Sequence, residues 1–182
     1  IAAEQISPTI HVPTDSTFRN LNVVLIILES FGKEYIGHYN KGKGYTPFLD
    51  SLINQSFDCA QTYANAKRSI EGIPAILAGI PSLLSEPFIT SAYAGNTLTS
   101  IASLLDKKKY ETIFFHGGTN GTMGFDNFAK ATGYNRYFGR TEYNDDRDFD
   151  GSWGIYDEPF LIRTTEELTK INNPFFATIF TL

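Results

Sequence analysis

Asn22-Val-Val-Leu-Ile-Ile-Leu28 runs straight into Glu29-Ser30. A continuous β-branched and leucine run of this length is the pattern of a strand buried on both faces of a parallel sheet. The abrupt polar pair marks the carboxyl end of that strand. Outward from it, Thr46-Pro47 reads as an N-cap with proline in the first turn, leading Phe48, Leu49, Leu52 and Ile53 at helical spacing. Ser56 to Tyr63 is expected as a second strand. Ser69 opens a helix over Ile70 to Leu77 that closes near Gly79-Ile80-Pro81, and Thr97 is expected to cap Leu98, Ile101, Leu104 and Leu105 on one face.

Tyr110 to Phe115 then forms a strand ending at His116, so a second strand-to-polar junction appears. Phe125 to Thr132 is predicted helical, Gly133 to Gly151 polar and irregular, Tyr156 to Ile171 helical, and Phe175 to Leu182 a closing strand. Strands alternating with helices imply βαβ units, hence an α/β fold whose mostly parallel sheet lies between two helical layers. Ligands bind such sheets beyond the carboxyl ends of the strands. That rule draws Glu29, the loop before Ser69, and His116 toward one site.

Composition narrows the function classes. A chain of 182 residues that is 42% hydrophobic has material for one ordinary core. A net charge of −5 with no long basic run argues against a nucleic-acid partner, and Lys107, Lys108 and Lys109 read as a solvated helix end. The single cysteine, Cys59, excludes an intrachain disulfide and a cysteine-rich zinc site, and reads as a small buried apolar residue. No stretch approaches the roughly 20 apolar residues that span a bilayer. Residues 1–20, with prolines, Thr and Ser but no period, read as a linker or N-terminal arm, and the domain proper as 21–182.

Each candidate residue has a plain and a chemical reading. A carboxylate where Glu29 leaves a buried strand needs a cation or donors, so it is either a metal ligand or a group capping a helix or pairing with Lys33. Ser69 is either a helix cap or a hydroxyl nucleophile beside the positive helix end, where a phosphate or sulfate group is favoured. Lys67 and Arg68 just before it either offset substrate charge or are merely solvated. His116 in Phe115-His116-Gly117-Gly118 is either structural or a titratable contact beside glycines that admit a ligand. Gly117 to Gly121 lacks the ending of a nucleotide-binding loop, and Asp145, Asp146, Asp148 and Asp150 lack the glycine and glutamate of a calcium loop.

The ordered set is more specific than its parts. Strand-Glu29, Thr46-Pro47-Phe48-Leu49-Asp50, Ser69 and the Leu77-Ala78-Gly79-Ile80-Pro81 helix end together resemble the sulfatase-like alkaline phosphatase superfamily. Ala66-Lys-Arg-Ser-Ile-Glu-Gly-Ile-Pro-Ala-Ile-Leu-Ala-Gly-Ile-Pro81 looks like the nucleophile segment of its lipoteichoic acid synthase, or phosphoglycerol transferase, branch. Phe115-His116-Gly117, the Gly121 to Tyr134 block and Trp153-Gly-Ile-Tyr-Asp-Glu158 extend the match to nearly everything after Asn20.

The resemblance implies an alkaline-phosphatase-like three-layer sandwich with its C-terminal part absent, residues 21–182 being the N-terminal part of a catalytic domain. It implies a metal-dependent phosphotransferase or phosphoester hydrolase with Ser69 as catalytic nucleophile, Glu29 and Ser69 on a divalent metal, and His116 and Arg68 on the substrate. The implied metal is manganese, with magnesium, calcium and zinc as alternatives. The family's tryptophan and arginine after the histidine are replaced by Met123 and Phe125, so glycerol-phosphate is not carried over as the substrate. A further substrate histidine and an Asp-His metal pair are expected after Leu182, leaving the site incomplete within this chain. Sulfate-ester hydrolysis is the alternative, although Ser69-Ile-Glu-Gly-Ile73 lacks the Cys/Ser-x-Pro-x-Arg signature of formylglycine enzymes. A catalytically silent anion-binding module is the other. The implied partners are a phospho- or sulfo-ester linked to lipid or glycan, and the implied location is extracytoplasmic, through an N-terminal membrane anchor outside this chain.

Overall fold

The computed structural model describes residues 17–182. Most of the arm expected over residues 1–20 lies outside the described residues. Along the chain run β1 (Val23–Ile27), α1 (Pro47–Ile53), α2 (Ser69–Ala78), α3 (Ile101–Asp106), β2 (Glu111–His116), α4 (Phe125–Ala131), β3 (Arg136–Phe138), α5 (Arg140–Tyr143), α6 (Asp157–Thr169) and β4 (Phe175–Phe180). The four strands form one sheet in the order β1-β4-β2-β3, and every pairing is parallel.

β4 and β2 hold the centre, with Phe114 opposite Thr178 and His116 opposite Phe180. Because side chains alternate across a strand, β2 sends Phe114 to one face and Ile113 and Phe115 to the other. Two cores result. Phe114 and Phe176 pack with Ile73, Leu77, Phe125 and Phe128 from α2 and α4. On the opposite face, Ile113, Phe115, Ala177 and Ile179 pack with Phe160 of α6. This is the three-layer α/β arrangement that the strand and helix patterns imply. Full burial of each such phenylalanine stabilises the fold by roughly 1.5–3 kcal/mol.

Four expectations need correction. Among the described residues β1 pairs with β4 alone and is an edge strand, and Val24 and Ile26 remain 46% and 56% exposed, so it is not buried on both faces. Ser56 to Tyr63 forms no strand. Its residues are exposed, Phe57 to 94%, the Ser56 hydroxyl donates back to the Leu52 carbonyl, and Lys33 Nζ donates to the carbonyl of Ala60. β-rich composition makes a strand only where a ladder partner takes the backbone groups, and among the described residues none pairs with this segment. Cys59, on the same segment, is therefore exposed rather than buried.

Third, α3 is capped by Ser100 and not by Thr97. The Ser100 hydroxyl accepts from the Ser103 N–H at 3.0 Å and Ser103 Oγ accepts from the Ser100 N–H at 2.9 Å, a reciprocal box. Fourth, the span 133–151 contains β3 and α5, so it is not irregular throughout. The remaining helices fall close to expectation: α2 stops at Gly79, whose left-handed φ of 66° lets the following N–H, that of Ile80, turn back to the Pro74 carbonyl at 3.3 Å.

Candidate functional site

At the carboxyl edge of the sheet lies a cavity of about 470 Å³ whose walls include Glu29, Ser69 and His116. The three residues come from the ends of β1 and β2 and the start of α2. A tertiary hydrogen bond places the first of them. The Glu29 N–H donates to Thr181 Oγ1 at 2.8 Å, fixing the chain that leaves β1 against the chain that leaves β4. The Glu29 carboxylate accepts from the Ser30 hydroxyl at 3.0 Å and is not paired with Lys33, whose ammonium sits over the Tyr39 ring.

Ser69 is the first residue inside α2, and Arg68 occupies the N-cap position with no side-chain cap. The serine hydroxyl is thus not in the capping position that the sequence suggests for it. The first intrahelical bonds run from Glu71 and Gly72 to the Arg68 carbonyl, so the N–H groups of Ser69 and Ile70 precede them at the positive end of the helix. Arg68 itself turns away: its guanidinium meets Glu71 at 2.6 Å, and it is not part of the cavity wall. Lys67 is likewise exposed.

His116 is buried between aromatic rings, stacked on Phe180 at 4.5 Å and edge-on to Phe125 at 5.3 Å. Its Nδ1 lies 3.1 Å from the Phe180 carbonyl, which only accepts, so Nδ1 carries the proton and Nε2 is the free acceptor of the neutral ring. Burial lowers its pKa below 6.5, opposed by the bond to Phe180 and by the charges of Asp157 and Glu29. A Cβ at Gly118 would stand 2.6 Å from Nε2, so only glycine leaves the imidazole in place.

Residues that sequence reasoning did not select complete the cavity: Asp150, Trp153, Tyr156 and Asp157 from one side, Met123 from another. Asp157 Oδ1 accepts the Leu182 N–H at 2.9 Å. Asp150 Oδ1 accepts the N–H groups of Ser152, Trp153 and Gly154 at 2.7, 2.8 and 3.1 Å, so it organises a turn rather than floating in a solvated acidic loop. For Trp153, Tyr156 and Asp157 the sequence signal is the stretch Trp153 to Glu158 within the family resemblance. Its approach to His116 depends on a bridge between Gly118 and Gly154 that no spacing rule reveals.

Whether this donor set suits a divalent metal can be judged from its chemistry. Glu29 and Ser69 present hard oxygen donors of the kind manganese and magnesium accept. Among the described residues, however, no group of three or more His, Cys, Asp or Glu side chains is gathered closely enough to hold an ion by itself. Two such donors alone would leave most of an ion's coordination positions to other ligands.

The Sulfatase family model matches residues 21–182. The chain is 27% identical over 166 residues to lipoteichoic acid synthase 2 of Bacillus subtilis (strain 168), covering 88% of this chain and 25% of that protein. It is 27% identical over 170 residues to lipoteichoic acid synthase 1 of the same organism, covering 88% and 26%. The chain thus spans about a quarter of the length of these relatives. Among solved structures, a protein in the alkaline phosphatase superfamily from Vibrio parahaemolyticus superposes with a TM-score of 0.82 at 30% identity, over 92% of this chain and 41% of that one. The lipoteichoic acid synthase LtaP from Listeria monocytogenes shares the fold, with a TM-score of 0.76 at 22% identity over 90% and 41% of the two chains. With a family match across residues 21–182 and the same α/β fold in these neighbours, the chain belongs to the sulfatase family of the alkaline phosphatase superfamily, on its lipoteichoic acid synthase-like branch.

Proposed function

We propose that this chain carries the nucleophile half of a metal-dependent phosphoester transferase or hydrolase, with Ser69 as the attacking group. The observation that carries the reading is the convergence of Glu29, Ser69 and His116 on one cavity at the carboxyl edge of a parallel sheet. In the proposed step the Ser69 Oγ forms a bond to phosphorus while the bond to the ester oxygen breaks. The leaving oxygen departs with a proton, and a second hydroxyl, from water or an acceptor, later displaces Ser69.

The start of α2 suits the transferred group, because the N–H groups of Ser69 and Ile70 precede the first intrahelical bonds and the positive helix end favours an anion. His116, kept neutral by burial and with Nδ1 committed to Phe180, offers Nε2 as acceptor for a substrate O–H. Arg68 enters as a second substrate contact only by leaving Glu71. Glu29 and Ser69 are the residues proposed to hold a divalent ion, manganese in the first instance, with magnesium, calcium or zinc as alternatives. Such an ion supplies Lewis acidity and lowers the pKa of a bound hydroxyl.

Likeness to the lipoteichoic acid synthases supports a lipid- or glycan-linked ester as substrate and a location outside the cytoplasm. Among the described residues no helix is long and apolar enough to cross a membrane. Sulfate-ester hydrolysis competes, but Ser69-Ile70-Glu71 without a following Pro-x-Arg supports an unmodified serine. Incubation with a phosphoester and manganese, followed by mass spectrometry of the peptide holding Ser69, tests the reading. A phosphate on Ser69 is expected, whereas a formylglycine at that position, or an unmodified Ser69 alongside product formation, rejects it.

A further inference from the structure

The wall of the cavity that holds Ser69, at the start of α2, also includes Trp153, which is 54% exposed, together with Asp150, Tyr156 and Met123. An exposed tryptophan beside a site is ordinary unless the fold holds it there, and here the fold does so at some cost.

The turn that bears Trp153 is tied by several hydrogen bonds. Asp150 Oδ1 gathers three successive N–H groups, and the Asp150 N–H closes the turn on the Gly154 carbonyl at 2.8 Å. The Trp153 carbonyl accepts from both the N–H and the hydroxyl of Thr119, at 2.9 and 3.2 Å. Gly154 sits so close to the His116 loop that a Cβ would fall 2.2 Å from the Gly117 carbonyl oxygen. Met123 adopts a left-handed φ of 50° between Gly121 and Gly124, a conformation a methionine takes only when its surroundings impose it. The backbone that bears both apolar groups is thus held at the wall of the cavity that contains Ser69.

Resting on the phosphoester reading above, we propose that Trp153 and Met123 form a subsite for a pyranose ring, so that the ester handled at Ser69 is carried by a sugar. A pyranose has an apolar C–H face to lie on the indole and a rim of hydroxyls to donate to carboxylates. Asp150 keeps Oδ2 free of the turn, and Asp157 keeps its Oδ2 free of the Leu182 bond, so both retain an acceptor for those hydroxyls. An alkyl chain in the same place would strip water from these carboxylates without replacing its hydrogen bonds. A glycerol unit has no ring face to cover the indole. The cavity volume lies within the roughly 300–1,000 Å³ of small-molecule sites, enough for a ring together with its phosphoester.

Trp153 is the single tryptophan of the chain, so its fluorescence reads occupancy of this subsite directly. The test titrates the protein, in manganese-containing buffer, with glucose 1-phosphate, glycerol 3-phosphate, inorganic phosphate and octyl phosphate, with calorimetry in parallel. Glucose 1-phosphate is expected to change the Trp153 emission and to bind at least tenfold more tightly than the other three. Trp153→Ala should remove that advantage while leaving inorganic phosphate affinity as it was, and Trp153→Phe should keep most of it. Equal binding of glucose 1-phosphate and inorganic phosphate, tightest binding of octyl phosphate or glycerol 3-phosphate, or an unaffected Trp153→Ala each overturn the proposal. Phosphorylation of Ser69 is scored separately: a sugar-dependent response without it removes the catalytic reading and keeps the subsite, and the reverse removes the subsite alone.

Discussion

The backbone N–H of Glu29 and the hydroxyl of Thr181, 152 residues apart in sequence, meet at 2.8 Å where β1 and β4 end side by side. Thr181 in turn donates its own N–H to the Ile27 carbonyl, so a single residue continues the ladder and sets the position of the carboxylate beyond it. Thr181→Val keeps the shape and removes the acceptor. An N–H left without its partner costs about 1–3 kcal/mol. Denaturant melts should show a loss of that order together with reduced turnover, and Thr181→Ser should restore both; a valine variant as active and stable as the parent would show that Glu29 is positioned by other means.

His116 gives the fold a pH dependence of known sign. Burial holds its folded pKa below the 6.5 of the unfolded chain, so below pH 6.5 the unfolded state binds more protons than the folded one. Its contribution is fully present above pH 6.5 and is lost as pH falls through the folded value. An NMR titration of the imidazole should place its midpoint under 6.5, and unfolding free energy should fall with acid over the same window. A His116→Gln protein should lack that component, and a midpoint above 6.5 would contradict the buried, neutral ring.

Two glycines are required by close approach rather than by flexibility. A Cβ at Gly118 would press on His116 Nε2 at 2.6 Å, so Gly118→Ala should displace the imidazole and depress activity while the sheet survives. A Cβ at Gly154 would meet the Gly117 carbonyl at 2.2 Å, where backbone rather than a side-chain end must yield. Gly154→Ala should therefore be the more damaging of the two, at or above the upper end of the ~1–3 kcal/mol typical of overpacking. Paired thermal melts decide the ranking.

The two central strands were legible because a buried parallel strand carries apolar residues on both faces, as Phe175 to Phe180 and Thr112 to Phe115 do. β1 has the same pattern but stands at the edge, since periodicity reports what a strand tolerates and not which neighbours it has. Ser56 to Tyr63 failed for the same reason: its β-branched and aromatic content has no ladder to join. Glu29, Ser69 and His116 could be drawn together because the end of a strand and the start of a helix are local signals. Asp150, Trp153 and Asp157 could not, since their place on the cavity follows from the pairing of Gly118 with Gly154 and of Leu182 with Asp157. β3, three residues of Arg-Tyr-Phe, is too short for any period to show.

Metal affinity follows from the count of oxygens. With Glu29 and Ser69 as the two proposed protein donors, an ion keeps most of its water, whereas catalytic sites of this type commonly supply three protein ligands. Elemental analysis after dialysis should find manganese below one equivalent, and Glu29→Gln should lower it further. Stoichiometric, tightly held metal in the Glu29→Gln protein would place the ion elsewhere.

The last prediction separates chemistry from helix stability at the start of α2. Because Arg68 and not Ser69 occupies the N-cap position, Ser69→Ala forfeits no side-chain cap and introduces the residue with the best helix propensity. Its stability should stay within about 0.5 kcal/mol of the parent, the range of neutral substitutions. Its phosphoenzyme should nevertheless vanish, since no other atom takes the place of Oγ. Arg68→Ala breaks an exposed i,i+3 pair with Glu71, which should change stability little, and should still form the phosphoenzyme, with any loss appearing in KM. Intact-mass spectrometry and denaturant melts on both variants provide the check. A Ser69→Ala protein that keeps its phosphotransfer would assign the nucleophile to another residue, and one that unfolds would mean that Ser69 serves the fold in a way its place in the first turn does not account for.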